Sequence, residues 1–109
     1  MKIKTDDLIG PALDWAVTSI EYPRLKERDT EGDVYYIDYS KEWESAGPII
    51  EREYISVCAH LVGKWNAYLP NEKASLEFLR SGPTPLIAAM RYYVASKLGD
   101  EIEVPEEIL

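Results

Sequence analysis

The chain is poor in the residues that most catalytic and metal sites require. Its 109 residues include one cysteine, Cys58, and one histidine, His60. A single cysteine excludes an intramolecular disulfide, and these two side chains cannot supply the four ligands of a structural zinc site. In a strand their side chains would lie on one face about 7 Å apart, beyond the hydrogen-bond reach that an activated thiol needs. We therefore assign no catalytic, cofactor-binding or metal-binding residue.

Long apolar runs and basic clusters are also missing. No stretch of about 18 apolar residues and no charged-then-apolar leader is present, so we expect a cytoplasmic protein that does not enter a membrane. The densest basic cluster, in residues 24–29, is interrupted by Glu27 and Asp29. With a net charge of −8, such a surface repels phosphate backbones. We therefore expect no direct nucleic-acid binding.

Acidic residues are abundant, and they are concentrated at the end of the chain. The first 98 residues hold 15 acidic and 12 basic side chains, whereas residues 99–109 hold five acidic side chains and no basic one. Apolar residues make up 46% of the sequence, which includes 8 Tyr and 3 Trp. This composition predicts one folded domain over residues 1–109 with an acidic tail over residues 100–109. Ile102 and Val104 alternate with acids in the tail, so it either adds an edge strand or lies across the surface.

Two terminal helices are predicted by their end signals. Thr84 is a good N-cap, Pro85 suits the first helical position, and Gly99 offers a stop, which together predict a helix over 85–98. The first helix is expected to begin near Thr5 or Asp6, to pass an irregular turn at Gly10–Pro11, and to end at Tyr22–Pro23.

The middle of the chain gives weaker signals. The segment from Val34 to Tyr39 is β-prone and could form a short strand. Ser40 resembles an N-cap for a second helix that runs to about Glu53. Gly47–Pro48 should break or kink that helix, because Pro48 removes a backbone donor.

Alternating segments then predict a β-hairpin near residues 54–69. The apolar positions of residues 54–61 and 64–69 face each other only if the loop has an odd length, so we favour a three-residue loop ending at Gly63 over a two-residue turn. Residues 74–80 are ambiguous between a third strand and a helical turn. The expected fold is α+β, with an antiparallel sheet of about three strands packed by the N-terminal and C-terminal helices and a short kinked middle helix.

Two tryptophans have contrasting expected roles. Trp65 should be mostly buried against the last helix, near Met90 or Val94. Trp43 is the expected exposed anchor of an interaction surface, since tryptophan and tyrosine are enriched at binding hot spots. The candidate surface consists of Tyr39, Trp43 and Ile49.

Several long strings of sequence resemble one family. They are ALDWAV at residues 12–17, YSKEW and GPIIERE within residues 39–53, Trp65–Asn66–Ala67, and TPLIAAMRYYVASKLGDEIEVP at residues 84–105. Together they are similar to the NinX-like family of lambdoid bacteriophages and prophages. The resemblance implies expression in the cytoplasm of an infected bacterium and a function that is not known. It supplies no catalytic residues.

The leading expectation is a phage accessory protein that is not an enzyme and acts by contact with a host or phage protein. A homodimer is an arrangement that the sequence leaves open. The alternative is a small ligand-binding protein or a hydrolase with an unrecognised site. A minor alternative is an acidic mimic of DNA that inhibits a host DNA-binding protein.

Overall fold

Three α-helices and two small antiparallel sheets form the part of the chain that the structure describes. This computed structural model describes residues 1–23, 36–70 and 79–108. The helices are α1 (Gly10–Glu21), α2 (Trp43–Arg52) and α3 (Pro85–Leu98). The strands are β1 (Lys2–Lys4), β2 (Ser56–Leu61), β3 (Lys64–Tyr68), β4 (Arg80–Gly82) and β5 (Glu101–Glu103). The predicted α+β fold is confirmed.

The central element is α3, whose ends match the prediction. The Thr84 hydroxyl oxygen accepts a 3.1 Å hydrogen bond from the Ile87 N–H, and Gly99 follows the last turn at φ 90°. This positive φ favours glycine, so the helix ends there. Most of the helix is buried, at positions Leu86, Ile87, Ala88, Ala89, Met90, Tyr92, Tyr93 and Val94.

The larger sheet has the order β2-β3-β4. Val57 pairs with Ala67 and Ala59 pairs with Trp65, so the two apolar rows are aligned as predicted. The loop differs from the three-residue loop that we expected. Leu61 pairs with Lys64 across a two-residue turn, and the register shifts between Ala59 and Leu61, which makes His60 the extra residue of a β-bulge. A two-residue turn without a bulge would place the apolar row of one strand opposite the polar row of the other. The bulge shifts the pairing by one residue, so the two apolar rows are aligned.

The third strand of this sheet is β4, which pairs with β3 from Arg80 to Gly82. Most of the ambiguous segment 74–80 lies outside the described residues. The prediction that Trp65 is mostly buried agrees with its intermediate exposure, because its side chain packs against the core, whereas its contact with Met90 or Val94 stays a prediction. All residues from Cys58 to Lys64 are exposed, so Trp65 lies where the hairpin leaves the core. Ala67 is the fully buried residue of β3.

The acidic tail forms the second sheet with the N-terminus. Lys2 pairs with Glu103 and Lys4 with Glu101, on either side of the pair Ile3–Ile102. Ile102 and Val104 are buried. Glu101–Glu103 of the tail is therefore a strand whose partner is β1 and not the three-stranded sheet, and Glu106–Ile108 forms a short 3-10 turn.

The start of α1 corrects the prediction. Thr5–Asp7 forms a short 3-10 turn, and the α-helix begins only at Gly10. The Thr5 hydroxyl does not cap this helix, since it donates a 2.6 Å hydrogen bond to the carbonyl of Gly99. The helix ends at Glu21 with Tyr22 as its C-cap, as predicted.

The segment before α2 also differs from the prediction. Val34 lies outside the described residues, and residues 36–39 form no strand. Ser40 is not the N-cap, because α2 begins at Trp43 with Glu42 in the cap position. The helix runs through Gly47–Pro48 without a break. It is held by its buried side, which includes Ala46 and Ile49.

Candidate interaction surface

The structure separates the three residues of the predicted surface. The Trp43 side chain is 55% exposed, whereas Tyr39 is 4% exposed and Ile49 is 2% exposed. Ile49 lies six residues after Trp43, which is a rotation of about 240° around the helix. Tyr39 and Ile49 therefore belong to the core and not to an outer surface. Trp43 alone of the three is presented to solvent, and its contact role stays a prediction.

Two polar residues of α1 fix the segment that leads to Trp43. The Ser40 N–H donates a 2.7 Å hydrogen bond to the buried Oδ1 of Asp14, and the Ile37 N–H donates a 2.9 Å bond to the Thr18 hydroxyl. The Thr18 hydroxyl in turn donates to the Asp14 carbonyl at 2.7 Å. Buried backbone donors need such partners, so these bonds replace the ones that a strand would have made. They hold residues 37–40 against α1 and turn Tyr39 into the core.

Asp14 and Thr18 were missed as positioning residues. They stand four residues apart in an otherwise mostly apolar helix, which is a signal that also occurs on ordinary helix surfaces. Burial raises the pKa of Asp14, and the hydrogen bonds from Ser40 oppose that rise. Asp38 adds to the rise, while Lys41 works against it. The Asp14 carboxyl group thus serves mainly as a buried hydrogen-bond acceptor.

The surroundings of Trp43 in the sequence are acidic. Asp38, Glu42 and Glu44 are exposed, and Lys41 is the one basic residue between positions 38 and 44. An exposed indole with exposed carboxylates close to it along the chain has both features of an interface, an apolar centre and a charged rim.

The other end of α2 is fastened by a network of charged groups. Arg52 donates to both carboxylate oxygens of Glu21, at 3.0 and 2.9 Å, and its Nε donates to Glu53 at 3.0 Å. The Tyr93 hydroxyl makes a short hydrogen bond to Glu21 and accepts one from Arg52 at 3.1 Å. Lys97 pairs with Glu53 at 3.2 Å. The network joins α1, α2 and α3. Its residues are so far apart in the sequence that their pairing could not be predicted from the sequence.

The pKa shifts of the groups in this network are typical of residues with a structural role. Burial tends to raise the pKa of Glu21, but hydrogen bonds from Arg52 and Tyr93 outweigh it and the pKa is lowered. Burial and the Glu21 carboxylate raise the pKa of Tyr93. Nearby, burial raises the pKa of Tyr39 to about 12. Each group is thereby kept in its usual protonation state at neutral pH, which favours a constant geometry over proton transfer.

The cysteine and histidine lie on the hairpin. Both side chains are exposed. The Cys58 thiol donates a 3.5 Å hydrogen bond to the Ala59 carbonyl oxygen. In residues 1–23, 36–70 and 79–108, no three His, Cys, Asp or Glu side chains come together to hold a metal ion. None of the helices that the structure describes has the length and apolar character needed to cross a bilayer.

A surface pocket of about 420 Å³ lies beside the tail. Trp15, Val104 and Pro105 provide apolar walls, and Glu103, Glu106 and Glu107 provide carboxylates at its rim. The Met1 ammonium also lines it and pairs with Glu103 at 3.0 Å. The pocket is wide open to solvent, and its carboxylates are suited to pair with a cationic group of a ligand.

The fold and this surface define a small acidic α+β protein that presents the exposed side chain of Trp43. The family model described as "Bacteriophage P22, NinX" matches residues 4–97, and the chain belongs to this family. The resemblance drawn from the sequence is thus confirmed. A comparison with curated proteins found no match.

Proposed function

We propose that this phage accessory protein acts by binding another protein through Trp43 and not by catalysing a reaction. Membership of a bacteriophage family supports the accessory role. The observation that carries the proposal is the 55% exposure of Trp43 next to a segment that Asp14 and Thr18 fix to the core. A rigid aromatic side chain loses little conformational entropy on binding, which is one reason why tryptophan dominates interface energies.

The partner is expected to present a basic surface. Three exposed carboxylates, of Asp38, Glu42 and Glu44, lie within five residues of Trp43, against one ammonium, of Lys41. Complementary charge at the rim of an interface speeds association and disfavours partners of the wrong sign. Since the whole chain carries a net charge of −8, a second acidic copy fits this surface less well.

The test is capture of partners from a lysate of the host bacterium by four immobilised proteins. These are the wild type, Trp43→Ala, Trp43→Phe and Val62→Ser. Val62 is fully exposed on the hairpin. Val62→Ser is therefore the control for Trp43→Ala, because it also removes exposed apolar surface but at a different site. We expect one basic protein to be captured stoichiometrically by the wild type and by Val62→Ser, more weakly by Trp43→Phe, and hardly at all by Trp43→Ala. Capture should also fall as salt concentration rises.

Circular dichroism and a thermal melt would show that Trp43→Ala remains folded, as expected for a side chain that is more than half exposed. A partner that all four proteins capture equally would overturn the role of Trp43. If that partner were a DNA-binding protein, the result would support the DNA-mimic alternative instead.

A further inference from the structure

A glycine and a proline stand in the middle of α2, where the packing of the described chain does not require them. Gly47 and Pro48 are the least favourable residue types in a helix interior. Pro48 is exposed, so it gains little from the core, and Gly47 relieves the crowding that a proline causes in the residue before it. Gly47 has no positive φ, and a Cβ atom there would meet nothing outside its own helix within 4 Å. A cost to the helix without a gain in the fold is typical of residues with a functional role.

The glycine lies between two exposed side chains on one side of α2. Trp43 is one turn before Gly47, and Glu51 is one turn after it. Residues four apart share a helix face and are separated by about 6 Å along the axis. Trp43 and Glu51 are both exposed, whereas Ala46 and Ile49 on the other side of the helix are buried. Because Gly47 has no side chain, Trp43, Gly47 and Glu51 form a gap with an indole at one end and a carboxylate at the other, which we call the α2 notch.

The groups around the α2 notch are acceptors and negative charges. Pro48 has no N–H, so the Glu44 carbonyl lacks the donor that a helix normally supplies four residues later. Glu44 and Glu51 are exposed, and neither carboxylate forms an ion pair within the part of the chain that the structure describes. Arg52 is the one basic residue of α2, and it is already bound by two carboxylates of the charged network. The charge of the α2 notch therefore favours a cationic group of a partner.

An arginine side chain suits this arrangement better than a lysine side chain. Its planar guanidinium stacks on an aromatic ring, and its five N–H donors serve a carbonyl and a carboxylate at the same time. Its apolar stem can lie over a backbone that carries no side chain. We propose that the α2 notch binds an arginine of the partner protein, stacked on the Trp43 indole and paired with Glu51 across Gly47. This inference rests on the proposed function, since it names the group of the partner that Trp43 contacts.

The test is an NMR titration of the ¹⁵N-labelled protein with three synthetic peptides. The peptides consist of glycine and serine around two central residues, which are both arginine, both lysine or both glutamine. The arginine peptide should shift the indole N–H signal of Trp43, which is the signal that Trp43→Ala lacks, and the amide signals of Gly47 and Glu51. The lysine peptide should bind more weakly, and the glutamine peptide should cause no such shifts. Binding of the arginine peptide should weaken as the salt concentration rises.

Three variants and one control make the titration specific to the α2 notch. Trp43→Ala and Glu51→Gln should each weaken binding of the arginine peptide about two- to fivefold, as expected for exposed cation–π and charge pairs. Gly47→Ala places a methyl group in the α2 notch and should reduce the shift of the Trp43 indole signal. The control is Glu107→Gln, which removes the same charge from an exposed position on the tail and should leave binding unchanged. Circular dichroism should show that all four variants are folded.

The outcomes separate this inference from the proposed function. Equal binding of the arginine and glutamine peptides, or of the arginine and lysine peptides, would overturn the arginine site. The same would follow if Glu107→Gln weakened binding as much as Glu51→Gln, because the peptide would then respond to overall charge. Unchanged peptide binding by Glu51→Gln and Gly47→Ala, together with lost partner capture by Trp43→Ala, would overturn the α2 notch and leave the proposed function intact. Partner capture by Trp43→Ala at the wild-type level, with peptide binding that still depends on Glu51 and Gly47, would contradict the proposed function alone.

Discussion

The Ser40 N–H donates a 2.7 Å hydrogen bond to the buried Oδ1 of Asp14, and this bond places Trp43. Because Ser40 is fixed on α1, the chain turns at residues 39–41 and α2 begins at Trp43. The core then takes Tyr39, Ala46 and Ile49 and leaves the indole outside. A polar contact inside the protein thus determines an apolar feature on its surface.

Asp14→Ala should destabilise the protein, because it leaves the Ser40 N–H buried without an acceptor. A lost partner of this kind costs about 1–3 kcal/mol. Asp14→Asn keeps an acceptor oxygen and should cost less. Urea unfolding at neutral pH measures both. Equal stability of the wild type and Asp14→Ala would show that the bond does not fix the segment.

Glu21→Gln should change how stability depends on pH. The pKa of Glu21 is lowered in the folded protein from an ordinary value near 4.5. Its contribution to the free energy of unfolding is therefore full above that value and is lost as pH falls through the folded-state pKa. The variant should be less stable than the wild type at about pH 7, and the difference should shrink towards about pH 3. A difference that stayed constant across this range would contradict the role of the charged carboxylate.

Gly82→Ala should be destabilising although Gly82 is not among the glycines with a positive φ. A Cβ atom there would lie 2.8 Å from the Ala88 nitrogen and 2.9 Å from Ile87 Cγ2, so β4 would have to move away from α3. Overpacking of this kind costs about 1–3 kcal/mol. The control is Ser81→Ala on the same strand, which should change stability by less than about 0.5 kcal/mol. Thermal melts that coincide for the two variants would show that β4 and α3 can separate easily.

Two tryptophans should differ in their contribution to stability. Trp15 is buried and Trp65 is partly buried. Trp15→Ala should therefore cost about 3–5 kcal/mol, and Trp65→Ala about 1–2 kcal/mol. Chemical denaturation of the two variants measures this order. If Trp65→Ala proved the more damaging, the hairpin would be more important to the core than its exposure indicates.

Local signals predicted the parts of the fold that local interactions determine. The bounds of α3 followed from Thr84, Pro85 and Gly99, and the aligned rows of the hairpin followed from the alternation of its residues. The loop prediction failed because the register is restored by a bulge at His60, and no residue type marks that bulge in the sequence. The helix cap expected at Ser40 failed because Asp14 of α1 binds both the N–H and the side chain of Ser40, and the helix begins later, at Trp43.

Long-range pairing was harder to predict, although one signal was present. Lys2 and Lys4 flank Ile3 in the same way that Glu101 and Glu103 flank Ile102, and opposite charges favour such antiparallel pairs. Two three-residue strands about 100 residues apart are nevertheless too short to assign from a pattern. Long-range packing also explains why the candidate surface was predicted only in part. Tyr39 and Ile49 are buried in the core, and their burial leaves Trp43 exposed.

The most direct measurement is calorimetric binding of the purified partner to the wild type, Trp43→Ala and Val62→Ser. A hot-spot tryptophan contributes about 2 kcal/mol or more, so Trp43→Ala should raise Kd at least about 30-fold. Val62→Ser should leave Kd unchanged. Wild-type affinity in a folded Trp43→Ala variant would contradict the central claim that the protein works through this residue.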